Sequence, residues 1–154
     1  MAGPQPPYVA VVGPGEASAA ETQAAQALGD GLAARGAIVV CGGLGGVMEA
    51  ACKGAAQRGG LTVGILPGAD RGAANQWVQI ALPTGLGELR NGLVVRAADV
   101  LIAVGGAHGP LSEIALALKT GVPVVGLQTW QIDGVQEVDS VEAAVARALE
   151  LARR

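Results

Sequence analysis

The sequence predicts one α/β domain with a mostly parallel, doubly wound sheet and helices on both faces. Short β-branched runs alternate with helical patterns, which is typical of strand–helix–strand units. The predicted strands are continuously apolar, as in sheets covered on both sides. A length of 154 residues suits a single domain. Because crossovers between parallel strands are right-handed, we expect the Rossmann-like arrangement over residues 1–154, with 1–7 a flexible N-terminal tail.

The first half of the chain contains four predicted strands and two predicted helices. Glycine or proline ends each of the first three strands, and Gly36 follows the first helix in the usual position of a left-handed cap. In chain order we predict a strand at 8–12, a helix at about 18–35, a strand at 38–41, a helix at about 46–58, a strand at 61–66, a loop at 69–76 and a short strand at 78–82.

The second half continues the alternation. We predict a helix at about 88–98, a strand at 100–104, a helix that opens at Pro110, a strand at 122–126 and a last helix at about 140–153. The segment from Leu111 to Leu118 is apolar nearly all round, and such a helix is usually covered on its far side too. We therefore expect a homo-oligomer, a dimer or a tetramer.

Composition excludes several classes of function. Hydrophobic residues make up 51% of the chain and charged residues 15%, which excludes a disordered protein. The aromatic residues are Tyr8, Trp77 and Trp130, too few for a stacking platform for nucleic acid. A net charge of −3 argues against nucleic acid and anionic membranes as partners.

Location and metal binding are predicted from absent features. No apolar run approaches the ~18 residues of a membrane span, and the N-terminus has no secretory signal, so we expect a cytoplasmic protein. Cys41 and Cys52 lack a metal-ligand spacing and are expected to be buried, reduced thiols. No metal site is predicted.

Three strands end in glycine-rich turns that open a helix. The glycines that we predict to contact a ligand in these turns are Gly13, Gly15, Gly42, Gly43, Gly46, Gly105, Gly106 and Gly109. Glycine lets the backbone approach a ligand, and free N–H groups at a helix start attract anions. All three turns lie at the same edge of a parallel sheet, which favours a phosphate-binding crevice. The alternative is that they are tight turns only.

The common nucleotide and hydrolase fingerprints are absent. Ser18 stands where a dinucleotide motif has its third glycine, and no acidic residue ends the second strand. The chain has no Gly-Lys-Ser/Thr sequence and no Gly-x-Ser-x-Gly sequence, which argues against a P-loop protein and against an α/β-hydrolase.

Two charged side chains are candidates for chemistry. Arg90 lies at the start of a predicted helix, and Glu113 lies one turn into the helix that follows the third glycine turn. A carboxylate on an apolar helix is costly without a partner or a role. Alternatively, Glu113 interacts only with the helix dipole and Arg90 is a solvated surface residue.

Five further side chains lie near the turns. His108 contacts a ligand phosphate or is incidental, while Asn75 and Asn91 bind a ligand amide edge or hold loops. Trp77 packs in the core or stacks on a base. Ser112 is expected to cap its helix rather than act as a nucleophile.

Together these segments resemble a known family. The segment Gly42–Ala51 (GGLGGVMEAA) resembles the GGxxGVMEAA segment of the LOG-like Rossmann superfamily, the "possible lysine decarboxylase" group. The segment Gly105–Glu113 (GGAHGPLSE) resembles the GGxxGTLSE of a branch similar to the molybdenum cofactor carrier proteins. Further similarities are at 64–68, 74–75, 84–87 and 90–91, so the resemblance covers about residues 8–130.

The resemblance implies two functions, neither of which requires a metal or a resident cofactor. Carrier proteins bind the anionic molybdenum cofactor without reacting it, and Met48 would then join the glycine turns in holding the ligand. LOG enzymes are phosphoribohydrolases, which split a nucleoside 5′-monophosphate into free base and ribose 5-phosphate. In that case Arg90 and Glu113 would be catalytic, with the bound ligand a nucleotide. A third hypothesis is an oligomeric scaffold with a vestigial site.

The sequence departs from the LOG pattern at three positions. Val104 replaces a proline, and Pro110 replaces a threonine, so one hydroxyl and one backbone N–H are absent from the turn. Loss of a charge-assisted hydrogen bond costs about 1.5–3 kcal/mol. Asn91 stands where LOG enzymes have a lysine after the arginine. These departures weaken the expectation of catalysis more than that of binding.

Overall fold

The computed structural model describes residues 3–153. All pairings in its seven-stranded sheet are parallel, in the order β4-β3-β2-β1-β5-β6-β7. The strands are β1 Tyr8–Val12, β2 Ile38–Cys41, β3 Thr62–Leu66, β4 Ile80–Pro83, β5 Val100–Val104, β6 Val124–Leu127 and β7 Val135–Val138. The chain winds outward from β1 to β4 and then restarts beside β1 at β5. This confirms the predicted doubly wound, Rossmann-like fold.

Five α-helices cover the two faces of the sheet. They are α1 Ala19–Ala34, α2 Val47–Gln57, α3 Asn91–Ala97, α4 His108–Thr120 and α5 Val141–Ala152. One core cluster joins α1, α2 and α5 to one face of the sheet, and a second joins α3 and α4 to the other. Small residues allow α1 and α2 to touch: a Cβ at Gly54 would lie 2.9 Å from the backbone nitrogen of Asp30.

Local sequence explains where α1 begins. Ser18 caps the helix by accepting a hydrogen bond from the backbone of Glu21, whose side chain accepts one from the backbone of Ser18. The residue that breaks the dinucleotide pattern therefore has a structural role.

Two predicted boundaries are wrong for identifiable reasons. Helix α4 begins at His108 rather than at Pro110, which is still in the first turn, where a missing N–H breaks no helical hydrogen bond. The helix predicted from residue 88 is a 3-10 turn over Gly87–Arg90 followed by α3, so Arg90 lies at the junction of the two.

The two edge strands differ from expectation. Strand β4 begins two residues later than predicted, and β7 was not predicted. Both strands are partly exposed. In β4, the exposed fractions of Ile80 and Leu82 are 43% and 46%, and in β7, Gln136 and Glu137 interrupt the apolar pattern. Continuous apolar runs mark only strands that are buried on both sides.

The predicted flexible tail, 1–7, is only partly described, since Met1 and Ala2 lie outside the described residues. Residues 3–6 are exposed, whereas the carbonyl of Pro7 accepts a hydrogen bond of 2.8 Å from the backbone of Ile38. The sheet therefore fixes the chain from Pro7 onward.

Candidate ligand-binding site

A cavity of about 180 Å³ lies at the switch point of the sheet, where the chain reverses its winding direction between β1 and β5. This is where doubly wound proteins bind their ligands. Eight of the residues predicted to form a site line it: Gly13, Gly15, Gly42, Met48, Arg90, Asn91, Gly109 and Glu113. Its other lining residues are Val11, Val12, Ala107 and Pro110. We call it the switch-point cavity.

The first two glycine turns form closely packed walls of the switch-point cavity. A Cβ at Gly13 would lie 2.7 Å from the carbonyl oxygen of Val104. A Cβ at Gly42 would lie 2.7 Å from Nη2 of Arg90 and 2.8 Å from Sδ of Met48. Glycine at position 42 thus lets the guanidinium of Arg90 rest against the end of β2.

Arg90 is a cation with incomplete hydrogen bonding. Its Nη1 donates to the side-chain oxygen of Asn91. Its Nε is buried and has no hydrogen-bond partner within residues 3–153. Buried donors are rarely left unpaired, because the desolvation penalty is then not compensated. Arg90 therefore lines the cavity and has one buried donor without a partner among the described residues.

Glu113 is buried in the same cavity wall, with 8% of its surface exposed. It is the sixth residue of α4, beyond the first turn, so the helix dipole does not explain its position. Burial raises the pKa of its carboxyl to about 7, although the charge of Arg90 lowers the pKa. The two side chains form no ion pair within 4.0 Å, and among the described residues the ion pairs are Arg58–Asp30 and Arg147–Glu150.

The start of α4 faces the switch-point cavity. Ala107, Gly109 and Pro110 line it, and no side chain caps this helix. Pro110 is the third helical residue, so the first turn offers one N–H fewer than usual. Ser112 donates to the carbonyl of Gly109 at 2.9 Å instead of capping the helix, which corrects the expectation for that residue.

Three predicted ligand contacts hold the glycine turn after β2 instead of lining the cavity. Asn75 donates to the carbonyl of Leu44 at 2.8 Å and accepts from the backbone of Trp77, so its side chain ties two loops together. Gly43 is buried, and its carbonyl accepts from the backbone of Asn75. Gly46 has a φ of +66° and packs on Gly15, a conformation that favours glycine.

The third turn is braced from the β6–β7 connection, which sequence reasoning missed. Thr129 donates to the carbonyl of Gly105 at 2.5 Å, and the indole of Trp130 donates to the carbonyl of Ala107 at 3.0 Å. Gly105 is buried, whereas Gly106 and His108 are exposed, and the His108 ring stacks on Trp130 at 6.2 Å. None of these three predicted contacts lines the cavity. Only contacts distant in sequence reveal such a brace.

The two cysteines are buried and reduced beside the glycine turn. Their Sγ atoms lie 3.4 Å apart, and the backbone N–H of Gly43 donates to Cys41. Hydrogen bonding from the Cys52 thiol lowers the pKa of Cys41. Within residues 3–153, no group of three or more His, Cys, Asp or Glu side chains is arranged to hold a metal ion. In the same range no helix has the length and apolar character needed to cross a membrane.

A family profile described as the SLOG cluster4 family matches residues 6–153. The chain belongs to that family. An uncharacterized protein of Archaeoglobus fulgidus is 41% identical over 138 residues, which is 89% of this chain and 91% of that protein.

Solved structures similar to this SLOG cluster4 chain include two proteins that are described as binding or carrying the molybdenum cofactor. The molybdenum cofactor binding protein of Rippkaea orientalis is 36% identical, with a TM-score of 0.91 over 96% of this chain and 98% of that one. The molybdenum cofactor carrier protein of Chlamydomonas reinhardtii is 34% identical, with a TM-score of 0.89 over 97% and 100% of the two chains. These findings confirm the resemblance stated from the sequence motifs.

Proposed function

We propose that this protein binds a phosphate-bearing small molecule of the molybdenum-cofactor class in the switch-point cavity and carries it without reacting it. The similarity to cofactor binding and carrier proteins supports the ligand class. The observation that carries the proposal is the buried Nε of Arg90, which has no partner among residues 3–153. A phosphate oxygen would complete its hydrogen bonding.

The charge balance of the cavity favours an anion. With a pKa of about 7, Glu113 is half neutral near neutral pH and then only partly offsets the charge of Arg90. The uncapped N-terminus of α4 adds free amide donors from His108 and Gly109. The volume of about 180 Å³ is below the ~300 Å³ of typical small-molecule sites, so the cavity suits the anionic end of a larger ligand.

Two features favour carriage over reaction. Pro110 lines the cavity and provides no N–H at the position where an amide would otherwise contact the phosphate. Asn91 accepts a hydrogen bond from Arg90 and adds no second positive charge. A site with fewer charged donors binds an anion but stabilises developing charge less.

The direct test is retention of the cofactor by Arg90→Gln and by a matched control. Arg96→Gln removes an exposed arginine from the last turn of α3, the helix that follows Arg90, outside the cavity. The proteins are mixed anaerobically with cofactor released from a molybdenum enzyme, desalted, and assayed by pterin fluorescence after oxidation. We expect Arg90→Gln to bind about tenfold or more weakly and Arg96→Gln to match the wild type. Equal retention by Arg90→Gln, or none by the wild type, would contradict the proposal.

A second candidate function, 5′-nucleotide phosphoribohydrolase, rests on the Glu113 carboxyl in the same cavity as Arg90. A carboxylate there could orient water toward a ribose carbon. Incubation with AMP and other 5′-monophosphates, followed by an assay for free base, distinguishes the two functions. Rapid release of base that disappears in Glu113→Gln would replace the carrier proposal, whereas binding without release supports it.

A further inference from the structure

A second cavity, of about 290 Å³, lies on the other side of the glycine turn after β2. It is bounded by α1, α2 and the loop before β4. The lining residues that matter here are Gly46, Glu49, Lys53 and Trp77. We call it the Trp77 cavity. The sequence predicts a ligand contact for Gly46 and either core packing or base stacking for Trp77.

The two cavities share a wall. A Cβ at Gly46, which lines the Trp77 cavity, would lie 2.5 Å from the carbonyl oxygen of Gly15, which lines the switch-point cavity. The consecutive residues Met48 and Glu49 of α2 line the switch-point cavity and the Trp77 cavity, respectively. A ligand with an anionic end and a planar end has an adjoining place for each.

The charged groups of the Trp77 cavity are not neutralised by each other. Glu49 and Lys53 have the spacing and order that favour an ion pair on a helix. Among residues 3–153, however, no ion pair within 4.0 Å joins them. Instead, the Lys53 ammonium lies 5.9 Å from the centre of the Trp77 ring, in a cation–π arrangement. One carboxylate and one ammonium are therefore both available to a ligand.

The backbone of Trp77 is fixed on both sides. Its N–H donates to the side chain of Asn75 at 3.0 Å, and its carbonyl accepts from the hydroxyl of Thr62 at 2.7 Å. The side chain is half-buried and lines the cavity. An indole that extends from a fixed backbone at a cavity is a stacking surface for an aromatic ring.

We propose that the Trp77 cavity binds a fused aromatic heterocycle with a 2-amino-4-oxopyrimidine edge, the edge shared by pterins and guanine. Its 2-amino group and adjacent ring N–H both donate to the Glu49 carboxylate, in the two-point manner that carboxylates favour. Its ring stacks on Trp77 in place of the Lys53 ammonium, and its oxo group accepts a hydrogen bond from the displaced ammonium. The inference deepens the proposed function, on which it rests for the phosphate in the switch-point cavity.

The test compares ligands that differ at the amino group and carry no phosphate. Pterin and lumazine differ in a 2-amino against a 2-oxo group, and guanosine and inosine differ in a 2-amino group against hydrogen. We expect the wild type to bind the amino member of at least one pair about tenfold or more tightly, because the other member donates one hydrogen bond to Glu49 instead of two. The pair with the larger ratio shows whether the ring is a pterin or a purine. Titration calorimetry gives the dissociation constants.

Variants assign the preference to the cavity. Glu49→Gln is expected to bring the ratio within each pair close to one. Glu142→Gln is the matched control, since it removes an exposed carboxylate from the first turn of another helix, α5. Trp77→Leu should weaken both members of a pair about fivefold or more. Tyr8→Leu, which removes an exposed aromatic ring at the start of β1, should weaken neither.

Failure of this inference is distinguishable from failure of the proposed function. Equal binding within both pairs by the wild type, or a preference that survives in Glu49→Gln, overturns the inference whatever Arg90→Gln does to cofactor retention. The wild-type ratios decide this even if a variant is unstable. A preference that depends on Glu49, without Arg90-dependent cofactor retention, supports the inference while the proposed function fails.

Discussion

Arg58 and Arg90 each have a carboxylate nearby, and they differ in what the fold provides for them. Arg58 and Asp30 lie exposed between α1 and α2 and form two hydrogen bonds, of 2.8 and 3.0 Å. The hydrogen bond from Arg58 lowers the pKa of Asp30. Arg90 and Glu113 line the switch-point cavity and do not pair within 4.0 Å, and the buried Nε of Arg90 has no partner among residues 3–153.

We infer from this difference that the Arg58–Asp30 pair is structural and that Arg90 and Glu113 serve ligand binding. At the surface, water compensates each charge, so the Arg58–Asp30 pair forms or breaks at little cost. At the cavity, Glu113 is buried, and a buried carboxyl without an ion pair has a penalty that folding alone does not remove. We propose that a ligand, rather than stability, accounts for the unpaired Nε of Arg90.

Glu113→Gln is expected to have the largest effect, on how stability depends on pH. The folded-state pKa of about 7 exceeds the ordinary value of 4.5, so the folded protein binds more protons between these values. Stability from this group is then fully present below pH 4.5, falls as pH rises, and is lost above about pH 7. The total is of the order of 3 kcal/mol. Urea unfolding at pH 5 and pH 8 measures it.

The control for this prediction is Asp30→Asn, which removes the exposed carboxylate. The wild type and Asp30→Asn should both lose stability between pH 5 and pH 8 by a larger amount than Glu113→Gln does. If Glu113→Gln keeps the full loss, Glu113 does not titrate in that range and its carboxyl is ionised throughout.

Gly42→Ala is expected to have the next largest effect, on ligand binding. The new Cβ would meet the ends of two flexible side chains, Arg90 and Met48, so the guanidinium must move while the backbone stays. We expect cofactor affinity to fall about tenfold, with a small change in melting temperature. Gly46→Ala is the contrasting variant, because its Cβ would meet the backbone of Gly15 at a φ of +66° and should lower stability. Unchanged affinity in Gly42→Ala would show that the position of Arg90 is not critical.

The sequence predicts the buried centre of this fold better than its margins. The strands β1, β2 and β5 are apolar along their length, and their limits were predicted to the residue. Strand β7 was not predicted because Gln136 and Glu137 interrupt its apolar pattern. The strand lies at the edge of the sheet, where a continuous apolar run is not needed. Edge strands carry a weaker signal for this reason.

The parts of the candidate site that the backbone forms were predictable from the sequence. The contacts that side chains distant in sequence make with these parts were not. Glycine turns at strand ends indicated Gly13 and Gly42, since parallel strands end at the same edge of the sheet. Nothing in the sequence indicated that Trp130 braces the turn at Ala107 or that Lys53 lies over Trp77. Asn75 had the right location, but its hydrogen bonds to two loops depend on the tertiary structure.

Arg58→Gln is expected to have the smallest effect on both stability and ligand binding. It tests the exposed arginine in the same way that Arg90→Gln tests the arginine of the cavity. Both variants replace a cation by a neutral amide, but Arg58 lies in water with its partner, so its loss should lower the melting temperature by less than about 2 °C. Added salt should reduce the difference in melting temperature between Arg58→Gln and the wild type, since salt screens exposed ion pairs. Cofactor retention should stay at the wild-type level. A much larger drop in melting temperature would contradict the small stabilisation assigned to the exposed pair. A drop in retention would contradict the role assigned to the cavity, because it would mean that general positive charge, rather than the cavity around Arg90, attracts the ligand.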